Sequence, residues 1–371
     1  MSGRAEGIFT PVADVFARTM AYQAAGGAAL AVYHRGEKVI DLIGGDYVDD
    51  SVQYLYSVTK AITAIAAAKA QEQGLIDLDQ PLASFWPAFQ RRTELRGITT
   101  RWVLAHRTGL ASITPRMTLE ELLANRDEEL IEAQDPFWEP GTTHGYHGYT
   151  YGTLMNSVFK RTVGINVGGY VARELAGPLG LDLWIGTPES EQHRAVPVVR
   201  QQQWITPLRA AHVAAVRIPA TGPSTLGDPT VYNRPEVLAA DWPAINGVAS
   251  ARALAALMEA SLHGGILTSE SRDTMIRTRA RGKDFVLGVT TQFGSGMQLP
   301  FPQLPFLGPR SYGHEAAGGT VAFADPDFGI AVGYTTNVFP QLMGANAGFL
   351  VLLGALRHVL TADDSPIEGG E

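Results

Sequence analysis

Strand-like segments lie near both ends of this 371-residue chain, and helix-like segments fill its middle. Residues 28–33 and 38–43 are two apolar runs on either side of a short turn at Gly36, a pattern that predicts a β-hairpin. Further strand-like runs occupy residues 285–293, 319–324 and 329–336. This layout predicts an α+β protein with one antiparallel sheet, assembled from both ends of the chain and flanked by helices, and with a mostly helical domain inserted between the two ends.

The ends and the middle of the chain are expected to form separate domains. Residues 1–75 and 246–371 would build the α/β domain that contains the sheet, and residues 76–245 would build the helical domain. Repeated prolines interrupt the periodicity between residues 201 and 243. We therefore predict that residues 201–243 form a lid-like loop segment beside the substrate.

Composition and charge exclude several classes of function. The 37 acidic and 29 basic side chains give a net charge of −8, and no run of Lys or Arg could neutralise a phosphate backbone, so a nucleic-acid partner is not expected. The absence of cysteine excludes thiol catalysis and Cys-ligated metals. With no secretion signal in its first residues and no apolar run of about 18 residues, the chain is expected to be soluble and cytoplasmic, without a membrane partner.

The clearest local motif is Ser57-x-x-Lys60, which lies where a loop is predicted to become a helix. Residues i and i+3 share a helix face, so the lysine amine can reach the serine hydroxyl. The helix N-terminus offers backbone N–H groups to a developing oxyanion, and burial would lower the pKa of Lys60 enough for the amine to accept a proton. An ordinary helix-capping serine beside an exposed lysine is the alternative, and the tetrapeptide alone does not decide between the two.

Several other segments accompany this motif in a recognisable order. A Pro-Gly turn at residues 140–141 is followed five residues later by Tyr146. The remaining segments are Leu-Ala-His-Arg-Thr-Gly-Leu at 104–110, Asn-Gly-Val at 246–248 and Tyr-Gly-His-Glu-Ala-Ala-Gly-Gly at 312–319. Together they resemble the serine β-lactamase and penicillin-binding-protein group over nearly the whole chain, and most of all its β-lactamase-fold (family VIII) carboxylesterases.

The resemblance implies a β-lactamase/transpeptidase-like fold and a serine hydrolase that forms an acyl-enzyme without a cofactor. Ser57 would attack the acyl carbonyl, and Lys60 would take or relay its proton. Tyr146 would act as general base or acid toward the nucleophile or the leaving group. The backbone N–H groups of Ser57 and Ala317 would form the oxyanion hole.

Departures from the β-lactamase pattern bear on the substrate. The second motif reads Tyr146-His147-Gly148, without the usual Asn, and His314 stands where β-lactamases carry the Lys of K-T-G. The loss of an amide and of a fixed cation favours neutral short-chain esters over β-lactams and peptides. We expect His314, His147 and Trp204, the last in the lid-like segment, to contact the substrate.

Other functions stay open at this point. The chain could be a β-lactamase, a D-amino-acid peptidase or amidase, or an acyltransferase of the same fold, and it could also be a catalytically inactive binding protein. An α/β-hydrolase is disfavoured because the G-x-S-x-G pentapeptide does not occur. His144 and His147 have no nearby carboxylate cluster in the sequence, so no metal is predicted, and the oligomeric state is not indicated.

Overall fold

The computed structural model describes residues 1–22, 25–114, 116–200, 224–339 and 347–363. Its strands are β1 (Ser2–Ala5), β2 (Ala28–His34), β3 (Glu37–Gly44), β4 (Gln53–Tyr54), β5 (Leu183–Ile185), β6 (Val199–Arg200), β7 (Gly247–Ala249), β8 (Ala280–Lys283), β9 (Thr290–Phe293), β10 (Tyr312–Glu315), β11 (Val321–Asp325), β12 (Ile330–Thr336) and β13 (Val338–Phe339). Its α-helices are α1 (Thr10–Tyr22), α2 (Thr59–Glu72), α3 (Pro87–Arg91), α4 (Thr100–Leu104), α5 (Leu119–Leu123), α6 (Asp127–Ala133), α7 (Thr150–Thr162), α8 (Val167–Val171), α9 (Gly177–Leu179), α10 (Glu189–Gln192), α11 (Pro235–Ala239), α12 (Ala251–Leu262), α13 (Ser269–Ile276) and α14 (Ala347–Asp363).

The largest sheet joins strands from both ends of the chain. Its six strands run in the order β1-β3-β2-β12-β11-β10, and every neighbouring pair is antiparallel. Val32 of β2 lies opposite Ile40 of β3 on one side and Val332 of β12 on the other. The predicted hairpin and the predicted antiparallel sheet are thus both confirmed.

The two faces of this sheet differ in side-chain size because successive strand residues point to opposite faces. Leu30 and Val32 of β2 pack with Phe16 of α1 and Phe349 of α14. Burying each such side chain contributes about 1.5–3 kcal/mol, so this face supplies much of the stability of the sheet.

The opposite face carries small residues and lies against α12. Ala29 and Ala31 of β2 pack with Ala251 and Ala255 of the helix. A Cβ added to Gly333 of β12 would lie 2.2 Å from the Ala251 carbonyl oxygen, so the helix backbone can approach this closely only over glycine. These small residues let α12 lie directly on the sheet.

Helix α2 is buried almost all round between the sheet and the helical part of the chain. It contacts β10, α8 and α13, and its Ala and Ile side chains leave no exposed stripe until the last turn. The helix begins at Thr59, two residues after the predicted start at Ser57, and Gly74 beyond its end has φ of 70°, the left-handed conformation expected of a terminating glycine. This burial places the Ser57 motif in the interior of the protein.

One predicted strand is mostly a turn. Of residues 285–293 only Thr290–Phe293 is a strand. The carboxylate of Asp284 accepts hydrogen bonds from the backbone N–H groups of Val286 and Leu287 at 2.9 and 2.8 Å. An aspartate side chain that accepts from backbone N–H groups two and three residues further along the chain favours a turn. The apolar sequence that follows Asp284 nevertheless resembles an extended strand.

Much of the lid-like segment falls outside the described residues. Its described part, 224–243, forms the 3-10 turns Ser224–Gly227 and Pro229–Asn233, followed by α11. Trp204 lies outside the described residues, so its contact with substrate stays a prediction, as do the domain boundaries. Among the described helices, none has the length and hydrophobicity needed to cross a membrane.

Candidate active site

Ser57 lies in the tight turn that leads into α2. The backbone N–H of Lys60 donates to the Ser57 carbonyl oxygen at 3.0 Å, and that of Thr59 donates to Tyr56 at 3.0 Å. Tyr56 takes a left-handed conformation with φ of 49°, which is uncommon for a bulky residue and marks a sharp change of chain direction. The half-buried Ser57 side chain thereby faces the groups described next.

Lys60 is fully buried, and three oxygen atoms surround its amine. Nζ lies 3.4 Å from Ser57 Oγ, 2.7 Å from the Gly148 carbonyl oxygen and 2.9 Å from the Ala244 carbonyl oxygen. Burial lowers the pKa of Lys60 well below its usual value, because the charged form loses hydration. A neutral amine has two N–H groups for the two carbonyls and one lone pair for the serine hydroxyl, so this arrangement suits a base directed at Ser57.

Tyr146 approaches the same hydroxyl from another direction. Its phenol oxygen lies 2.7 Å from Ser57 Oγ, and Lys60 Nζ lies 4.9 Å from the centroid of its ring. Burial raises the pKa of Tyr146 above its usual value, with the Ser57 hydrogen bond acting in the opposite direction. The phenol therefore keeps its proton near neutral pH and can donate it.

The two predicted oxyanion donors are both available. Among the described residues, neither the Ser57 N–H nor the Ala317 N–H has a hydrogen-bond acceptor. The neighbouring Ala316 N–H is used, since it donates to the Thr320 carbonyl oxygen at 2.9 Å. This difference favours Ala317 over Ala316 as the second donor.

The loop that carries Ala317 packs on the residue before the nucleophile. A Cβ added to Gly318 would lie 2.1 Å from Cε2 of the Tyr56 ring, so only glycine fits there. Tyr56 itself is held between Tyr54, Tyr232 and Phe339, with ring centroids 4.8–5.5 Å away. The contact couples the position of the Ala317 loop to that of Ser57.

The chain matches the beta-lactamase family model over residues 12–355. It belongs to the beta-lactamase family. The sequence-based resemblance and the predicted fold are therefore both confirmed.

Relatives within this family carry esterase names. The Mycobacterium tuberculosis protein "Esterase/beta-lactamase LipL" is 29% identical, over 96% of this chain and 88% of its own. The structure of EstA from Arthrobacter nitroguajacolicus Rue61a has a TM-score of 0.85 at 28% identity, covering 98% of this chain and 100% of its own. That of a family VIII carboxylesterase has a TM-score of 0.86 at 27% identity, covering 96% and 99%. A hydrolase of the β-lactamase fold is thus supported, and the substrate is a separate question.

His314, which the resemblance placed at the position of the K-T-G lysine of β-lactamases, lies at the inner part of β10. Its ring is buried, Nδ1 lies 2.5 Å from the Glu315 carbonyl oxygen, and Nε2 has no hydrogen-bond partner among the described residues. Burial lowers the pKa of His314 to about 3, and the nearby Lys60 adds to the shift. The imidazole is therefore neutral near pH 7, and its expected contact with substrate stays a prediction.

His147 is held in place by hydrogen bonds within the protein. Its ring is fully buried, with Nδ1 2.7 Å from the Gly145 carbonyl oxygen and Nε2 2.6 Å from Thr108 Oγ1. Its backbone N–H donates to His106 Nδ1 at 3.1 Å. Both ring nitrogens bind protein, and His147 holds the second motif against the loop of residues 106–109, while its contact with substrate stays a prediction.

The histidines nearest the site are not arranged as metal ligands. His144 Nε2 lies 2.9 Å from Thr291 Oγ1, and His106 Nδ1 accepts the bond from His147. In the described ranges, no group of three or more His, Asp or Glu side chains could hold a metal ion.

Sequence reasoning missed Asp284, which binds the backbone of Tyr146. Its Oδ1 accepts the Tyr146 N–H at 3.1 Å across 138 positions of sequence. The sequence signals only the turn, since Asp284 precedes Gly288 in a pattern typical of turns. That pattern does not show which distant segment the turn contacts.

Proposed function

We propose that this protein is a serine carboxylesterase that hydrolyses short-chain esters through an acyl-enzyme. The observation that carries the proposal is the position of Ser57 Oγ, 2.7 Å from the Tyr146 hydroxyl and 3.4 Å from the Lys60 amine. A serine with a base on one side and an acid on the other can attack a carbonyl and release an alcohol.

In acylation, Ser57 loses its proton to neutral Lys60 as Oγ bonds to the acyl carbon. The carbonyl oxygen becomes an oxyanion that accepts from the N–H groups of Ser57 and Ala317. The bond between the acyl carbon and the alcohol oxygen then breaks, and Tyr146 gives its proton to the departing alcohol. The acyl-enzyme is left with a lysine ammonium beside a tyrosine phenolate, which the 4.9 Å distance from Nζ to the ring allows.

Deacylation runs these steps in reverse, with water in place of the alcohol. Water attacks the acyl carbon and transfers a proton to the Tyr146 phenolate. The bond from the acyl carbon to Oγ breaks, and Lys60 returns its proton to Ser57. Every proton is restored, and one acid and one alcohol are released per ester.

The preference for neutral esters is supported by the lack of a fixed positive charge at His314. A bound β-lactam or peptide carboxylate usually has an Arg or Lys aimed at it, whereas His314 is a buried neutral imidazole. At the second motif, Gly148 has no side-chain amide, and its carbonyl oxygen binds Lys60. The similar structure that is named as a family VIII carboxylesterase supports this preference. As part of the same proposal, the substrate is a small-molecule ester and the protein acts in the cytoplasm.

Initial rates on a panel of p-nitrophenyl and alkyl esters, beside a chromogenic cephalosporin and a D-alanyl peptide, test the proposal. We expect kcat/KM for short acyl esters to exceed that for the cephalosporin and for the peptide. An equal or larger kcat/KM for either of the last two would favour the β-lactamase or peptidase alternative. Loss of ester hydrolysis in Ser57→Ala separates catalysis by this site from contaminating activity.

A further inference from the structure

Asp284 is a buried carboxylate at the end of β8, only 1% exposed. A buried charge is costly unless it is hydrogen bonded, and each of its oxygens has partners. Oδ1 accepts from the N–H groups of Val286 and Leu287, and Oδ2 accepts from the Thr291 hydroxyl at 3.2 Å. These bonds explain the turn, yet they do not require any contact with the active site.

The same turn nevertheless holds the chain that carries Tyr146 at three points. Asp284 Oδ1 accepts the Tyr146 N–H at 3.1 Å, and the Phe285 N–H donates to the His144 carbonyl oxygen at 2.9 Å. Between these bonds, a Cβ added to Gly145 would lie 2.9 Å from Val286 Cγ2, so the two segments are in close contact. The backbone of residues 144–146 therefore follows the position of the turn.

A second connection joins Asp284 to the segment that carries Tyr146, and it runs through side chains. The Thr291 hydroxyl that binds Asp284 Oδ2 also lies 2.9 Å from His144 Nε2. His144 is two residues before Tyr146, so the carboxylate is joined to that segment both directly and through Thr291. The arrangement fixes the orientation of the carboxylate as well as its place.

The charge of the carboxylate acts on the phenol that it positions. Besides Ser57, the titratable groups that face Tyr146 are Lys60, His106, Tyr151, Asp284, His314 and Glu315. Burial favours the neutral form of the lysine, the two histidines and Tyr151. The negative charges of Glu315 and Asp284 raise the pKa of Tyr146 further, in the same direction as burial.

We propose that Asp284 is a positioning residue that holds Tyr146 as the proton donor to the leaving alcohol, through its bond to the Tyr146 backbone and through its negative charge. The inference rests on the proposed esterase function. Asp284 touches no reacting atom, and its effect passes entirely through Tyr146.

The test compares two esters with the same acyl group, p-nitrophenyl butyrate and ethyl butyrate, in Asp284→Ala, which removes both the acceptor of the Tyr146 N–H and the negative charge. A nitrophenolate leaves without a proton, whereas ethoxide needs one. We expect kcat/KM for the ethyl ester to fall by about tenfold or more, and that for the nitrophenyl ester by less than about threefold. We also expect the basic limb of the pH profile for the ethyl ester to move to lower pH, because removing the charge lowers the pKa of Tyr146 and activity requires the protonated phenol.

Asp325 provides a matched control. It is also buried at the start of a turn, where Oδ1 accepts from the N–H groups of Asp327 and Phe328 at 2.8 and 3.2 Å and Oδ2 from the Ser311 hydroxyl at 2.5 Å. Asp325→Ala should lower thermal stability and leave both the ratio of the two kcat/KM values and the pH profile unchanged. If Asp284→Ala behaved in this same way, its role would be structural only and the inference would be overturned.

Thr291→Val decides the matter if Asp284→Ala does not fold. It removes the hydroxyl that orients Asp284 and should lower kcat/KM for the ethyl ester more than for the nitrophenyl ester, whereas Ser311→Ala should not. An unchanged ratio in Thr291→Val would overturn the inference. A wild-type protein that hydrolyses neither ester would instead overturn the proposed function, so the two failures are distinguishable.

Discussion

The amine of Lys60 lies 2.7 Å from the carbonyl oxygen of Gly148. The third residue of the second motif therefore binds the base through its backbone. This oxygen and that of Ala244, 2.9 Å from the amine, bind the two N–H groups of the neutral Lys60 amine. The lone pair of the amine then faces Ser57, and for this reason we take Lys60 as the general base.

We predict that Lys60→Met lowers kcat by about a hundredfold or more, the scale of a positioned base, while the bulk of the side chain is retained. Initial rates on p-nitrophenyl butyrate measure it, with circular dichroism to verify folding. Near-normal kcat in the folded variant would rule out this role.

The acidic limb of the wild-type pH profile should report the same group. Only neutral Lys60 accepts a proton, so kcat/KM should rise with pH through the pKa of Lys60. Because burial lowers that pKa, the limb should lie well below the ordinary lysine value of about 10.4. Activity that increases only near pH 10 would contradict a buried neutral base.

Tyr146→Phe removes the hydroxyl and keeps the ring, which lies against Phe293 with centroids 6.3 Å apart. We expect kcat to fall by about a hundredfold or more, because the phenol donates to the alcohol and its phenolate accepts from water. Steady-state rates on ethyl butyrate by pH-stat measure the loss. A variant with near-normal kcat would show that Tyr146 is not the acid.

Gly318→Ala should damage the oxyanion hole through the Tyr56 ring. The new Cβ has no room beside that ring, so the loop must shift and carry the Ala317 N–H with it. We expect kcat to fall by about tenfold to a hundredfold, somewhat less than the loss of a whole oxyanion donor, and KM to change by less than about threefold.

Gly354→Ala in α14 is the control for that substitution. Among the described residues, no atom beyond the neighbouring backbone of its own helix lies within 4 Å of the position that its Cβ would take. We therefore expect kcat to stay at the wild-type value and the helix to gain about 0.5–1 kcal/mol. Equal kcat losses in Gly318→Ala and Gly354→Ala would contradict a role of the Tyr56 contact in positioning the Ala317 N–H.

Local patterns made much of the fold predictable. The two apolar runs of β2 and β3 and the helical spacing after Ser57 are properties of a few successive residues, and these elements occur where expected. The apolar run at residues 285–289 was mistaken for a strand because hydrophobicity does not show that Asp284 folds the chain back on itself.

The site was predictable only in part. Ser57 and Lys60 are three residues apart, and their proximity follows from the local chain path. Tyr146 was inferred from the resemblance, and no short-range pattern connects it with Asp284, 138 positions away. The hydrogen bond between the His147 ring and Thr108 was not predictable either, because it depends on tertiary packing.

Covalent labelling of Ser57 tests the central claim most directly. The protein would be treated with a fluorophosphonate, digested and analysed by mass spectrometry, with Ser57→Ala in parallel and residual p-nitrophenyl butyrate hydrolysis measured at each time. We predict one adduct, on the Ser57 hydroxyl, formed in proportion to the loss of activity and absent from Ser57→Ala. Full inactivation with the label on another residue, or ester hydrolysis that persists in folded Ser57→Ala, would contradict the account.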